Sequence, residues 1–139
     1  TIGGMAFISS NVGAVHAFAE TVGAWFDTPH GVANSLFLPY IMEFNIPACP
    51  ERFADIADAM GIEREESMSD EQYALKAVEY VKALNRKLNI PTIKEIKGIT
   101  EERFEAIAER SANNVLSNDN ARKITKEDYL ELLKKAYNE

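Results

Sequence analysis

Ser69-Asp70-Glu71-Gln72 constrains this chain more than any other short stretch. A serine followed three positions later by glutamine forms a capping box, in which the hydroxyl accepts from the glutamine N–H and the glutamine side chain reaches back to the serine N–H. A long helix should follow. Tyr73, Ala77, Val78, Val81, Leu84 and Leu88 recur at three- and four-residue spacing and give that helix one buried stripe, which Asn89 and Pro91 bring to an end. Thr100 precedes Glu101-Glu102, whose carboxylates suit the positive end of a helix dipole, and opens a helix carrying Phe104, Ile107, Ala108 and Val115. Thr125, followed by Lys126-Glu127-Asp128, opens a final helix expected to bury Tyr129, Leu130, Leu133 and Ala136 or Tyr137. Pro50 suits the first position of a short helix with Ala54, Ile56, Ala57 and Met60, which Gly61 terminates.

No run of alternating apolar and polar residues occurs, and Asn-Gly or Asp-Gly hairpin turns are absent. The expected class is all-α, a helical bundle, with Thr92 to Gly98 as a short turn that directs Ile93 and Ile96 inward. At 139 residues the chain is the size of one domain. A net charge of -7, from 22 acidic and 15 basic side chains, opposes attraction to phosphate backbones, so nucleic acid is not an expected partner. The single cysteine, Cys49, excludes an internal disulfide and a cysteine-built zinc site. No neighbouring base activates it, and a reducing, cytoplasmic setting is the default. No stretch approaches the ~18 consecutive apolar residues of a membrane span. The start, Thr1 to Ile8, is apolar and reads as the interior of a longer chain, a surface for another domain or for self-association into a homo-oligomer.

The only two histidines, His16 and His30, lie in one stretch from Gly13 to Asn34 that differs from the acidic helices downstream. His16 and Glu20, four residues apart, share a face if Gly13 to Gly23 is helical. Thr28-Pro29 reads as a cap followed by proline at the first helical position, which sets His30 in the first turn of a helix running through Leu38. Gly23 and Gly31 would permit close backbone approach, so two helices joined by a tight loop can aim both imidazoles at one point. Neutral imidazole is a common ligand for iron and zinc. Spacing alone leaves the alternative of a satisfied core histidine among Val15, Ala17, Phe18 and Ala19, and a catalytic metal needs about three protein ligands. Trp25, Phe26, Phe37 and Phe18 form an aromatic group whose expected role is core packing.

Gly13, His16, Gly23, Pro29, His30, Gly31, Asn34 and Pro39, with Asp27-Thr28 leading into the proline, closely resemble the signature of the iron-containing, group III alcohol dehydrogenases. Weaker resemblance continues through Asn89-Ile90-Pro91-Thr92 and Ser117-Asn118-Asp119-Asn120-Ala121-Arg122. The resemblance implies that residues 1–139 are the helical metal-binding domain, of the dehydroquinate synthase-like type, cut from a two-domain enzyme whose N-terminal dinucleotide-binding domain would be its partner. It implies Fe²⁺ or Zn²⁺ held by one aspartate and three histidines, with His16 and His30 matching the last two. The aspartate and the first histidine belong to an Asp-x-x-x-His segment that is absent here.

The full enzyme would interconvert a small alcohol with an aldehyde or ketone by hydride exchange with NAD or NADP. With half of the ligands, this chain alone is expected to bind metal weakly and to reduce no NAD. Where the family often has a further histidine, this chain has Glu20, which is expected to orient His16 or to lie in solvent. Asp27 is expected to be a turn residue. A reading of another class is a free-standing helical interaction module descended from such an enzyme.

Overall fold

The computed structural model describes Met5 and residues 11–139. Expectations for Thr1 to Ile8 lie outside the described residues, apart from Met5. Six α-helices account for most of the rest: α1 (Ala14–Phe26), α2 (His30–Asn45), α3 (Pro50–Ala59), α4 (Asp70–Lys87), α5 (Phe104–Ala112) and α6 (Lys126–Asn138). Short 3₁₀ turns lie in three of the five links between them, and the described residues contain no strand. Among the described residues, no helix is long and apolar enough to cross a membrane.

The caps form where the residue chemistry predicts them. Ser69 Oγ accepts from the Gln72 N–H at 3.2 Å, and Gln72 Oε1 accepts from the Ser69 N–H at 3.0 Å. Thr125 and Asp128 build the same reciprocal pair at the start of α6. On the Ile93–Glu95 turn Glu95 Oε2 accepts from both the Thr92 N–H, at 2.7 Å, and the Thr92 hydroxyl, at 3.0 Å, and Ile93 is buried in the core. Thr100 caps nothing with its side chain, because a 3₁₀ turn at Glu101–Arg103 comes first and α5 begins at Phe104.

Helix α2 is longer than the sequence suggests, running through Pro39 to Asn45 rather than stopping at Leu38. Proline has no N–H for the carbonyl four residues back, so Ser35 loses its helical partner. Asn85 of α4 supplies the replacement, with its Nδ2 donating to Ser35 O at 2.6 Å. The kink penalty is thus offset by a tertiary bond that periodicity cannot see. Asn85→Ala should cost ~1–2 kcal/mol in thermal unfolding by leaving that carbonyl unpaired. The cost should shrink in a Pro39→Ala background, where the restored N–H satisfies Ser35, and equal costs in both backgrounds would refute the pairing.

Helix α2 separates two apolar clusters. On one side Phe18, Val22, Leu36, Phe37 and Ile41 pack with Ile93, Ile107, Tyr129 and Leu133, joining α1, α2, α5 and α6. On the other, Met42 and Ile46 pack with Ala54, Ala57, Tyr73, Ala77 and Val78 of α3 and α4. The first cluster also encloses a chain of hydroxyls. Ser117 Oγ donates to Ser111 O at 2.7 Å, so the Tyr129 hydroxyl, 2.7 Å away, donates to Ser117. Ser111 Oγ donates to Thr21 Oγ1, which donates in turn to Ala17 O. Burial pushes the Tyr129 phenol up to about 12, so it remains a donor at neutral pH.

The periodic stripes overreach at their ends. Leu88 is 60% exposed and Leu84 40%, although Asn85 between them reaches α2. Val115, expected to be buried, is 71% exposed in the turn after α5, and Ile56 also faces out. Helical phase marks which side of an element is apolar, but neighbouring elements decide how far along it is covered.

Candidate metal centre

Helices α1 and α2 meet at a three-residue corner, Asp27-Thr28-Pro29. Asp27 caps α1 in the left-handed region at φ 50°, a conformation that aspartate tolerates, and so acts as a turn residue as expected. The start of α2 falls one residue later than expected. Pro29 is the N-cap, with φ -53° and ψ 135°, and Thr28 caps no helix; its hydroxyl lies 3.5 Å from Phe26 O. Proline's fixed φ permits this extended N-cap conformation, so His30 becomes the first helical residue.

The corner folds the two helices together and brings the imidazoles of His16 and His30 to a centroid separation of 5.2 Å, with their planes tilted by 57°. Both line an open recess of about 500 Å³ with Val12, Gly13, Val15, Asn34 and Leu38. His16 is half-buried and His30 exposed. Burial, and then the neighbouring His30, hold the His16 imidazole below its ordinary pKa, against an opposing pull from Glu20. Its neutral form, the one able to donate a lone pair, therefore dominates near neutral pH.

Asn34 touches His30 twice. Its Nδ2 donates to His30 O at 2.9 Å and lies 3.0 Å from His30 Nε2. Its Oδ1 is buried and has no hydrogen-bond partner among the described residues, a condition that ordinarily costs ~1–3 kcal/mol. Glu20 does not bond to His16. It accepts instead from Asn114 Nδ2 at 2.8 Å and lies exposed, so no direct orienting bond to His16 is present.

Gly23 is needed for close approach, since a Cβ there would lie 3.2 Å from Thr28 O. Gly31 is not, because nothing lies within 4 Å of the corresponding position. The aromatic group divides. Phe18 and Phe37 stack in the core, whereas Trp25 is 40% exposed beneath the Arg110 guanidinium. Cys49 is partly buried with its sulfur 3.9 Å from Asn45 O.

The start of α1 is tied down by residues to which no pattern in the sequence assigns a role. Asn120 Oδ1 accepts from the Ala14 N–H at 3.3 Å and from Asn45 Nδ2 at 3.1 Å, while its Nδ2 donates to Asn45 Oδ1 and Arg122 O, each at 2.7 Å. Asn11 Nδ2 donates to Asp119 Oδ2 nearby. Gly13 sits against this knot, where a Cβ would come within 3.0 Å of Asn120 Oδ1 and 3.2 Å of its Cα.

The donor set suits Fe²⁺ or Zn²⁺ in type, with two imidazoles on adjacent helices, but it is half a set. No cluster of three or more histidine, cysteine, aspartate or glutamate side chains able to hold a metal occurs among the described residues.

These two helices and their histidine corner define a domain class that comparison with known proteins identifies. A profile described as the Fe-containing alcohol dehydrogenase family, C-terminal, matches residues 1–137. The chain belongs to that family. Lactaldehyde reductase of Escherichia coli (strain K12) is 39% identical over 136 residues, which is 98% of this chain and 35% of that protein. The 1,3-propanediol dehydrogenase of Citrobacter freundii is 35% identical with the same coverage. Among solved structures, an alcohol dehydrogenase from Oenococcus oeni superposes with a TM-score of 0.89 at 41% identity, over 96% of this chain and 35% of that one. The chain therefore spans about a third of the length of the relatives it matches.

Proposed function

We propose that residues 1–139 are the helical metal-binding domain of a longer oxidoreductase that interconverts a small alcohol and its aldehyde or ketone with NAD or NADP, and that His16 and His30 are two of its metal ligands. The observation that carries the reading is the convergence of the chain's only two imidazoles, 5.2 Å apart, across a helix corner. The names of the relatives support the chemistry, because they include an NADPH-dependent butanol dehydrogenase and an NAD-dependent methanol dehydrogenase. An Asp-x-x-x-His segment elsewhere in the longer protein would supply the remaining ligands, and a dinucleotide-binding domain the cofactor site.

When bound, a divalent ion supplies Lewis acidity, polarising a carbonyl oxygen or lowering the pKa of an alcohol. His16 and His30, which both line the recess, would hold the ion, and the helix corner sets their spacing. Val12, Val15 and Leu38 give the open recess apolar walls beside the two imidazoles. Glu20, engaged by Asn114, carries no assigned proton-transfer step.

The test is metal content and alcohol oxidation in the full-length gene product, compared among wild type, His16→Ala and His30→Ala. Each substitution should lower both by more than about 100-fold, since even outer partners of metal ligands are worth ~10–100-fold. Undiminished metal content in both variants would overturn the ligand assignment.

A further inference from the structure

We propose that Asn34 selects the tautomer of His30, directing its proton to Nδ1 and presenting Nε2 as the metal-binding nitrogen; the inference rests on the reading of His30 as a ligand. The amide end is identified by its surroundings. Asn34 Nδ2 lies 2.9 Å from the His30 carbonyl oxygen, and exchanging the two ends of the amide would set one acceptor against another. The same Nδ2 is 3.0 Å from His30 Nε2, and since an amide nitrogen can only donate, a hydrogen bond there requires a lone pair on the ring nitrogen. A neutral imidazole has one such nitrogen and carries its proton on the other.

The side chain makes both donations although its Oδ1 stays buried with no partner among the described residues. The helix sets the reach, because His30 and Asn34 are one turn apart at the exposed start of α2. Asn34 is thus a positioning residue. It keeps the Nε2 lone pair engaged until an ion replaces the amide hydrogen, and its bond to the His30 carbonyl remains available to hold the amide nearby.

The experiment is nitrogen-15 NMR of the full-length protein with labelled histidine, metal-free and then with added Zn²⁺. Metal-free wild type should show His30 with an unprotonated Nε2 and a protonated Nδ1. Asn34→Ala should lose that preference, because an unconstrained histidine ring favours the Nε2–H form. Asn34→Asp, which cannot donate, should move the proton to Nε2 as well. A role confined to helix stability would leave the ring nitrogens where they are. A protonated Nε2 in metal-free wild type, an unchanged ring in Asn34→Ala, or Zn²⁺ bound through Nδ1 would each overturn the proposal. Zn²⁺ that perturbs neither His30 nitrogen would instead refute the ligand reading and leave the tautomer assignment standing.

Discussion

Phe18→Ala should destabilise the domain by about 4 kcal/mol, the usual cost of removing a fully buried phenylalanine. For a chain of this length that corresponds to a fall of roughly 12 °C in Tm. Phe18 has no exposed surface, its ring is stacked on Phe37 with centroids 4.2 Å apart, and the edge of Tyr129 meets it at 4.6 Å. Truncation removes the apolar area, both ring contacts and the floor on which α1, α2 and α6 meet. Phe18→Leu refills most of the volume and should cost about half as much. Denaturant or thermal unfolding of the two variants provides the measurement. A loss below about 1 kcal/mol for Phe18→Ala would show that the core collapses into the space, contrary to close packing. Phe18 lies two residues after His16, so Phe18→Ala should also loosen the histidine corner and weaken metal retention.

Asn120→Ala is expected to have the second largest effect, about 3 kcal/mol, because it breaks four hydrogen bonds and strands the amide of Asn45. Asn45 is buried and bonds reciprocally with Asn120, so its side chain would be left with neither partner. The Ala14 N–H at the start of α1 would lose its acceptor too. Two positions further along that helix stands His16, so the loss should appear as reduced metal affinity as well as reduced Tm. Asn120→Asp separates the parts: it keeps the acceptor for Ala14 and loses both donations. It should fall between alanine and wild type. Equal stability of wild type and Asn120→Ala would show that the knot contributes nothing.

Much of the fold is legible in the residues. The Ser69-Gln72 and Thr125-Asp128 boxes mark helix starts because their hydrogen bonds close within four residues. Pro50 and Gly61 bracket α3 by their own backbone restrictions. The end of α2 is not legible, since Pro39 is a local stop signal and the group that cancels it, Asn85, is 46 residues further along. Leu84, Leu88 and Val115 were equally opaque, because an apolar side chain carries no record of whether another element reaches it.

The candidate site divides in the same way. The pair His16 and His30 stands out in the sequence through its glycine, proline and asparagine framework, and the corner that joins the two helices is a local consequence of Asp27-Thr28-Pro29. Which groups attend those histidines is decided by packing. Asn114 reaches Glu20 from 94 residues away, and Asn120 reaches Ala14 across 106. Short-range chemistry in the chain thus determined the helices, their caps and the identity of the two imidazoles. Only the tertiary structure decided their separation, their polar neighbours and the anchoring of α1, because those depend on hydrogen bonds and van der Waals contacts between residues far apart in the sequence.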